Sequence, residues 1–245
     1  MIKKNNIRKR LLEFIKNNNL IDNNDKILVG LSGGVDSVTL LFLLLEISKF
    51  YKNIEFGVAH VNYRLRGEDS DKDQKLVENI CKKNSLKLYI HKVKNPDNLK
   101  KSSLQVKARE IRYKFYEKLC KKYGYTKIAL AHNANDNAET FLLNIFRGTG
   151  IDGLKGIPVR RNNIIRPLLF LSRNEILEYA NENKIRYRHD KSNFKDDYDR
   201  NFLRLKVIPL VIKRINNCAI ENINNLSKIF YDFSYFVDKY VKNAY

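Results

Sequence analysis

A glycine-rich loop with a single carboxylate is the first feature of the sequence that suggests chemistry. The segment LSGGVDS, Leu31–Ser37, lies between a short apolar run and a long apolar helix pattern. Such a loop places free backbone N–H groups at a helix N-terminus, where they bind phosphate, and its glycines let the backbone approach closely. Where the common nucleotide loop has lysine, this one has Asp36. A carboxylate beside phosphates indicates an intervening Mg²⁺, unless Asp36 merely caps the helix.

Three further pairs of charged side chains each fall on one helix face: Asp136 with Glu139, Arg109 with Arg112, and Arg200 with Arg204. The acidic pair either serves a site or forms a D-x-x-E capping box. Arginine forks bind phosphates or carboxylates through two hydrogen bonds, although a solvated helix face is the simpler interpretation. For the last pair, the alternative is ion pairing with Asp196, Asp197 and Asp199.

Alternating strands and helices must position these groups. We predict strands at Lys26–Leu31, Ile54–Val61, Leu86–Val93 and Lys127–Ala131, and helices at Ser37–Phe50, Ser70–Asn84, Leu104–Tyr123 and Asn135–Arg147. Gly124 and Gly148 are predicted to end the last two helices. This alternation indicates an α/β fold with a parallel sheet flanked by helices. Ligands bind at the carboxyl ends of such strands, so we expect three polar clusters to converge there: Ser32–Ser37, His60–Arg66 and His132–Asp136.

The pattern after Gly148 is less regular. Residues 148–161 are predicted to form a surface loop, and Pro209 is predicted to interrupt a helix over Leu205–Ile215. The segment Ile220–Tyr245 has helical spacing and carries Phe230, Phe233, Tyr235 and Phe236, which we interpret as packing on the body of the protein rather than stacking on bases. We therefore divide the chain into an N-terminal helix (1–24), a main domain (25–215) and a small helical C-terminal extension (216–245).

The chain has 245 residues and a formal net charge of +20. A surplus of this size favours a polyanionic partner such as nucleic acid, although an AT-rich genome would also enrich lysine. Cys81, Cys120 and Cys218 form no C-x-x-C pair, so we expect three buried small side chains rather than a zinc or iron–sulfur site. No apolar run reaches the length of a membrane span.

The whole loop string S-G-G-x-D-S resembles the phosphate loop of the N-type ATP pyrophosphatases, which have an adenine nucleotide alpha hydrolase-like fold. Later motifs are similar to those of tRNA(Ile)-lysidine synthases: AHVNYRLRGEDSDKD (59–73), KAREIRYKFY (107–116), LAHNANDNAETFLLNIFRGTGIDGLKGIP (130–158) and DKSNFKDDYDRNFLR (190–204). The resemblance covers about Lys26 to Pro209. It implies an enzyme that uses ATP to join lysine to C2 of the wobble cytidine of isoleucine tRNA with a CAU anticodon.

The resemblance also implies roles for individual residues. ATP would be bound by Ser32, Gly33, Gly34, Val35, Asp36, Ser37, Ala59 and His60. The catalytic group would comprise Asp36, Arg109, Asp136 and Glu139, with Mg²⁺ held by Asp36 and Asp136. The tRNA or the reacting groups would be contacted by Arg64, Arg66, Arg112, Arg200 and Arg204, and Arg160, Arg161 and Arg166 are further candidates for tRNA phosphates.

The expected cofactors are therefore ATP and Mg²⁺, and the expected partners are this tRNA and free L-lysine, in the cytoplasm or a plastid stroma and not at a membrane. Two alternatives stay open at this point. One is another enzyme of the same superfamily, such as a tRNA thiolase, although thiolases usually carry C-x-x-C pairs. The other is a tRNA-binding protein with a vestigial nucleotide site.

Overall fold

A computed structural model describes residues 2–96, 104–188 and 199–244. The chain forms two compact units. The first comprises Met1–Ala131, Arg160–Pro167 and Asn174–His189, and the second comprises His132–Val159, Leu168–Arg173 and Asp190–Tyr245. The predicted division at residues 24 and 215 stays a prediction.

The first unit contains a six-stranded sheet of order β3-β2-β1-β4-β6-β5. Its strands are β1 (Lys26–Gly30), β2 (Glu55–Asn62), β3 (Lys87–Lys92), β4 (Lys127–Ala129), β5 (Arg160–Arg161) and β6 (Ile164–Ile165). All neighbours pair in parallel except β5 and β6, which pair antiparallel. The predicted α/β class with a parallel sheet is confirmed.

Within the described residues of the first unit, strands β1 to β4 are preceded or connected by helices α1 (Ile2–Asn17), α2 (Val35–Ile47), α3 (Glu68–Lys83) and α4 (Leu104–Tyr123). Helix α2 is apolar around its circumference, and four of its leucines are fully buried. Helix α4 packs on the sheet through Tyr116 and Leu119. A Cβ at Gly30 would lie 2.7 Å from the Tyr116 hydroxyl, so the glycine at the end of β1 lets this helix lie close to the strand.

The observed helix boundaries follow from local chemistry. Helix α3 begins two residues earlier than predicted, because Gly67 takes a left-handed φ of +52° and acidic side chains occupy the first turn. Gly124, with φ of +74°, follows the last residue of α4 as predicted.

The described residues of the second unit form helices α5 (Ala134–Phe146), α6 (Ile151–Leu154), α8 (Asp199–Phe202), α9 (Ile208–Arg214) and α10 (Ala219–Ala244). Helix α7 (Arg173–Glu182) begins at the last residue of a second-unit segment and continues in the first unit. A π-helical segment, Leu203–Val207, joins α8 to α9. Pro209 lies in the first turn of α9, where its missing N–H costs no hydrogen bond, and the predicted helix over Leu205–Ile215 is divided there between the end of the π-helical segment and α9.

Helix α10 packs on α5 through small polar side chains. The Asn137 side-chain amide donates to Asn224 Oδ1 (2.8 Å), and the Ser227 hydroxyl donates to the Lys155 carbonyl (2.9 Å). Of the four aromatic residues predicted to pack, Phe230 contacts Phe141, but Phe233, Tyr235 and Phe236 are 50–69% exposed. The packing interpretation is therefore wrong for these three residues.

The cysteines also differ from expectation. Cys81 is buried and Cys120 is half-buried, but Cys218 is exposed, so the prediction of three buried thiols fails at Cys218. Burial raises the pKa of the Cys81 thiol to about 12. Across the described parts of the chain, no helix is long and apolar enough to cross a bilayer.

Replacing Gly156 by alanine is expected to lower the stability of the chain by about 2 kcal/mol, because it adds overpacking to backbone strain. Gly156 has φ of +64°, and a Cβ there would lie 2.2 Å from Asn137 Oδ1 and 2.7 Å from Ser227 Oγ. Gly148→Ala is the matched control, since Gly148 has φ of +71° but nothing lies within 4 Å of an added Cβ. The stabilities of the two variants are compared by thermal unfolding. An equal loss of stability in both variants would contradict the packing argument.

Candidate functional site

The loop between β1 and α2 is held in shape by its own serines. The Ser32 N–H donates to Ser37 Oγ (3.1 Å), the two serine oxygens lie 3.0 Å apart, and the Ser37 hydroxyl donates to the Gly34 carbonyl (3.0 Å). Gly33 has φ of +94°, which favours glycine. These hydrogen bonds fix the shape of the loop, with Ser32 exposed and Ser37 buried in internal contacts.

Asp36 does not cap helix α2. The N-cap residue is Gly34, which supplies no side-chain bond, and Asp36 lies in the first turn of the helix, half-buried. The alternative interpretation of Asp36 as a helix cap is therefore wrong. A carboxylate in this turn is favoured by the helix dipole, and it stands beside N–H groups that have no acceptor within the helix. This donor set fits a phosphate with its accompanying cation.

His60 holds the start of the loop. Its ring is 3% exposed, Nδ1 lies 2.8 Å from the Leu31 carbonyl, and the Leu31 N–H donates to the Ala59 carbonyl (3.0 Å). Because Nδ1 faces a carbonyl oxygen, it carries the proton and donates, which leaves Nε2 as an acceptor. These contacts give Ala59 and His60 a structural role. The predicted contact of these two residues with adenine stays a prediction.

Acidification is expected to remove stability through His60. Burial lowers the pKa of His60 below its ordinary value of 6.5. The unfolded chain therefore takes up this proton first, so the contribution is complete above pH 6.5 and is lost as the pH falls toward the folded pKa. Thermal unfolding from pH 8 to pH 5 should show a slope steeper than that of His60→Gln, by up to about 1.4 kcal/mol per pH unit. Identical slopes would contradict this assignment.

A network of ion pairs surrounds Gly33 within the first unit. Asp73 accepts hydrogen bonds from Arg66 and from Arg188 Nε, each at 2.6 Å, and Arg188 also binds Asp69 at 2.9 Å. The backbone N–H of Arg188 donates to the Gly33 carbonyl (3.0 Å). Sequence analysis did not assign a role to Asp69, Asp73 or Arg188. Asp69 and Asp73 lie four positions apart on one helix face, and this spacing could have indicated in the sequence that they share a partner.

The candidate arginines of the first unit differ in exposure. Arg64 is exposed, whereas Arg66 is tied to Asp73. Arg109 is exposed, with its guanidinium carbon 4.7 Å from the centre of the Tyr113 ring, and Arg112 is half-buried. Arg166 is 3% exposed, so its predicted contact with tRNA at the surface is wrong.

Helix α5 of the second unit begins with a capping box that differs from the predicted one. Asn133 is the N-cap: its side chain accepts from the Asp136 N–H, and Asp136 Oδ2 accepts from the Asn133 N–H, both at 3.0 Å. The predicted D-x-x-E box would make Asp136 the cap and Glu139 its partner, and this is wrong. Glu139 is instead left to other partners.

Those partners are Arg200 and Arg204. Glu139, whose side chain is 1% exposed, binds Arg200 Nε at 2.7 Å and Arg204 Nε at 2.6 Å. Asp136 Oδ1 accepts from the same two guanidinium groups at 3.1 and 3.0 Å. Two carboxylates thus neutralise two guanidinium groups in a largely buried cluster. The alternative pairing with Asp199 is wrong, because Asp199 binds Arg147, while Asp196 and Asp197 lie outside the described residues.

The predicted metal ligands belong to different units, Asp36 to the first and Asp136 to the second. Asp136 Oδ1 accepts hydrogen bonds from both guanidinium groups, and Oδ2 accepts one from the Asn133 N–H, so a metal ion at Asp136 would share this carboxylate with three donors. Within residues 2–96, 104–188 and 199–244, no three His, Cys, Asp or Glu side chains are grouped to hold a metal ion. The shared Mg²⁺ site stays a prediction, and Asp36 is the carboxylate that fits it.

The chain is similar to known proteins in sequence and in fold. The PP-loop domain family matches residues 3–211. A tRNA(Ile)-lysidine synthase from Clostridium perfringens is 44% identical over 227 residues, which cover 90% of this chain and 48% of that protein. One from Chlorobaculum tepidum is 37% identical over 239 residues, 97% of this chain and 72% of that protein. The chain spans about half the length of several such relatives.

Among solved structures, the U34-tRNA thiolase NcsA from Methanococcus maripaludis, with its [4Fe-4S] cluster, superimposes with a TM-score of 0.74. The match covers 91% of this chain and 79% of that one at 20% identity, so it supports the fold alone. The family match over most of the chain and the identity to the C. tepidum protein carry the assignment. This chain belongs to the PP-loop family and, within it, to the tRNA(Ile)-lysidine synthases.

Proposed function

We propose that this chain joins lysine to C2 of the wobble cytidine in isoleucine tRNA with a CAU anticodon, using ATP and working in the cytoplasm. The observation that carries the proposal is the loop Ser32–Ser37, which holds a carboxylate in the first turn of α2 that is not needed as a cap. Family membership supports the same activity.

The proposed reaction has two steps. The cytosine O2 attacks the α-phosphate of ATP, and pyrophosphate leaves. The lysine amine then attacks C2, AMP leaves with O2, and the amine loses a proton. The chain must therefore hold a triphosphate, stabilise a leaving pyrophosphate and orient an amine.

The loop of the first unit suits the first step. Backbone N–H groups at the start of α2 and the exposed Ser32 hydroxyl would hold the phosphates, and the internal bonds of Ser37 keep them in place. Mg²⁺ held by Asp36 would supply positive charge against the leaving pyrophosphate. Because the loop is fixed by its own hydrogen bonds, little reorganisation is needed when ATP binds.

The carboxylate cluster of the second unit suits recognition of lysine. Asp136 and Glu139 would receive the substrate ammonium, and Arg200 and Arg204 hold both carboxylates in position through charge-assisted hydrogen bonds. An incoming cation would compete with a guanidinium group for Asp136 Oδ1. We therefore assign the two arginines to positioning the carboxylates.

The surplus of positive charge fits a tRNA partner. Among the arginines that are candidates for tRNA contact in the loop after β2, Arg64 is the one exposed to solvent. The wobble base itself must be extruded into a pocket and recognised by its edges, so we expect Arg64 to affect all tRNAs alike.

The test is nucleoside analysis of isoleucine tRNA after incubation with the chain, ATP, Mg²⁺ and lysine, with each omitted in turn. Lysidine that depends on all three would support the proposal. A thiolated nucleoside formed with a sulfur donor would indicate the thiolase alternative. Absence of ATP–pyrophosphate exchange together with retained tRNA binding would indicate a vestigial site.

A further inference from the structure

The two glycines of the loop Ser32–Ser37 are joined by a peptide group that has two accessible orientations. Glycine tolerates both signs of φ, so rotation of the Gly33–Gly34 peptide costs little backbone strain. In a trans peptide the carbonyl and the N–H point in opposite directions. One orientation therefore turns the Gly34 N–H toward a bound anion, and the other turns the Gly33 carbonyl, with its partial negative charge, toward the same place.

A hydrogen bond from Arg188 holds this peptide in one orientation. The Gly33 carbonyl accepts from the Arg188 N–H at 3.0 Å, so the Gly34 N–H points away from Arg188. On that side the Gly34 nitrogen lies 3.3 Å from the oxygen of the exposed Ser32, which is long for an N–H···O bond, usually at most about 3.2 Å. The Gly34 N–H is therefore well placed to donate to a phosphate oxygen beside the Ser32 hydroxyl.

The side chain of Arg188 sets the position of its backbone. Its guanidinium group donates from Nε to Asp73 at 2.6 Å and from Nη2 to Asp69 at 2.9 Å. Both aspartates lie on α3, and Asp73 and Val77 of this helix would lie within 3.8 Å of a Cβ added at Gly33. One helix therefore lies against the glycine and also anchors the residue that binds its carbonyl.

The charges of this anchor are matched. Asp73, which is 8% exposed, also accepts from Arg66 at 2.6 Å, so two carboxylates bind two guanidinium groups. Charge-assisted hydrogen bonds of this kind are short and strong. The cluster is therefore suited to holding the neighbouring backbone in place rather than to binding an ion of its own.

We propose that Arg188 is a positioning residue for ATP: its backbone N–H keeps the Gly33 carbonyl turned away from the phosphates and the Gly34 N–H turned toward them. This role rests on the proposed function, in which the loop binds ATP. The hydrogen bonds of Ser32 and Ser37 act on other atoms of the loop, including the Gly34 carbonyl. Arg188 thus fixes the one peptide that the serines leave to glycine.

The first test measures binding of ATP in the presence of Mg²⁺ by isothermal titration calorimetry. Arg188→Ala removes the anchor and keeps the backbone N–H, and we expect it to bind ATP at least about tenfold more weakly. The matched control is Arg8→Ala. Arg8 lies in the same unit, binds Glu46 through two hydrogen bonds and has a side chain 32% exposed, against 34% for Arg188. We expect a similar fall in melting temperature but unchanged ATP binding in Arg8→Ala.

The second test separates positioning from simple electrostatics. Asp69→Asn removes a negative charge from the helix that contacts Gly33, which by charge alone would strengthen binding of an anion. We expect instead that it binds ATP about threefold more weakly, because a neutral amide holds Arg188 less firmly. Asp71→Asn is the control, since Asp71 lies in the same first turn of α3 and accepts from Asn62. It should bind ATP no more weakly than the wild type.

Amide hydrogen exchange followed by NMR reports on the hydrogen bond to Gly33 itself. The Arg188 N–H should exchange at least about tenfold faster in Asp69→Asn than in Asp71→Asn. The Asp69 side chain is 39% exposed, so this variant serves as the test if Arg188→Ala does not fold.

Three results would overturn the positioning role of Arg188: equal ATP binding by Arg188→Ala and Arg8→Ala, equal ATP binding by the two aspartate variants, or equal exchange rates in those two variants. In each case the wild-type chain still binds ATP, and the proposed function stands. A wild-type chain that does not bind ATP would overturn the proposed function together with this role, so the two failures are distinguishable.

Discussion

Replacing Asp36 by asparagine is expected to slow ATP-dependent pyrophosphate release by at least about 100-fold while leaving the fold intact. The substitution keeps the size of the side chain and removes the charge that would hold a cation against the phosphates. Because Gly34 is the N-cap of α2, no cap is lost. The lost charge–dipole interaction with the helix is worth about 0.3–1 kcal/mol.

The matched control is Glu68→Gln, which neutralises an exposed acid in the first turn of α3 in the same unit. Both variants are compared by thermal unfolding and by ATP–pyrophosphate exchange in the presence of isoleucine tRNA, across a range of Mg²⁺ concentrations. We expect similar small changes in melting temperature but loss of exchange in Asp36→Asn alone. Near-normal exchange in Asp36→Asn would show that the Asp36 carboxylate only stabilises the helix and does not act in the reaction.

The features that sequence analysis predicted well are local ones. The loop and the long apolar α2 follow from residue types within a few positions of each other, and Gly124 ends α4 because its conformation is set locally. The parallel pairing of β1 with β2 and β4 follows from the alternation of strands and helices. These are patterns whose physical cause lies within one element or its immediate connection.

The features that escaped prediction depend on contacts between distant residues. Arg200 and Glu139 are 61 positions apart, so no periodicity within either helix could pair them. The hairpin of β5 and β6 has strands of two residues, too short to show alternation, and Asn162 turns it with φ of +54°.

Helix α10 shows a different limit of pattern reasoning. An aromatic row usually marks the buried face of a helix, and the sequence was interpreted in that way. The face toward α5 uses Asn224 and Ser227, whose short side chains let α10 approach α5 and satisfy backbone carbonyls, and Phe230 is the aromatic residue of the four that packs there. The spacing of aromatic residues along a helix therefore does not by itself predict which face packs on the same unit.

The carboxylate cluster leads to the second large expected effect. Asp136→Ala should reduce lysine transfer at least about 100-fold, and no less severely than pyrophosphate release, if Asp136 receives the amine substrate. The same change must also lower stability, because Asp136 Oδ2 closes the capping box and Oδ1 accepts from Arg200 and Arg204. Loss of activity alone is therefore not decisive, and activity has to be expressed per folded molecule.

Asn133→Ala separates the two roles of Asp136. It removes the other half of the same capping box, at a cost of about 1 kcal/mol, but leaves the carboxylates and both guanidinium groups in place. We expect Asn133→Ala to melt at a lower temperature and still transfer lysine, whereas Asp136→Ala melts lower and does not. The measurement is single-turnover transfer of lysine to isoleucine tRNA, alongside thermal unfolding of each variant. If the two variants lose transfer in proportion to their loss of folded protein, Asp136 acts as a helix cap, and the lysine site must be sought elsewhere.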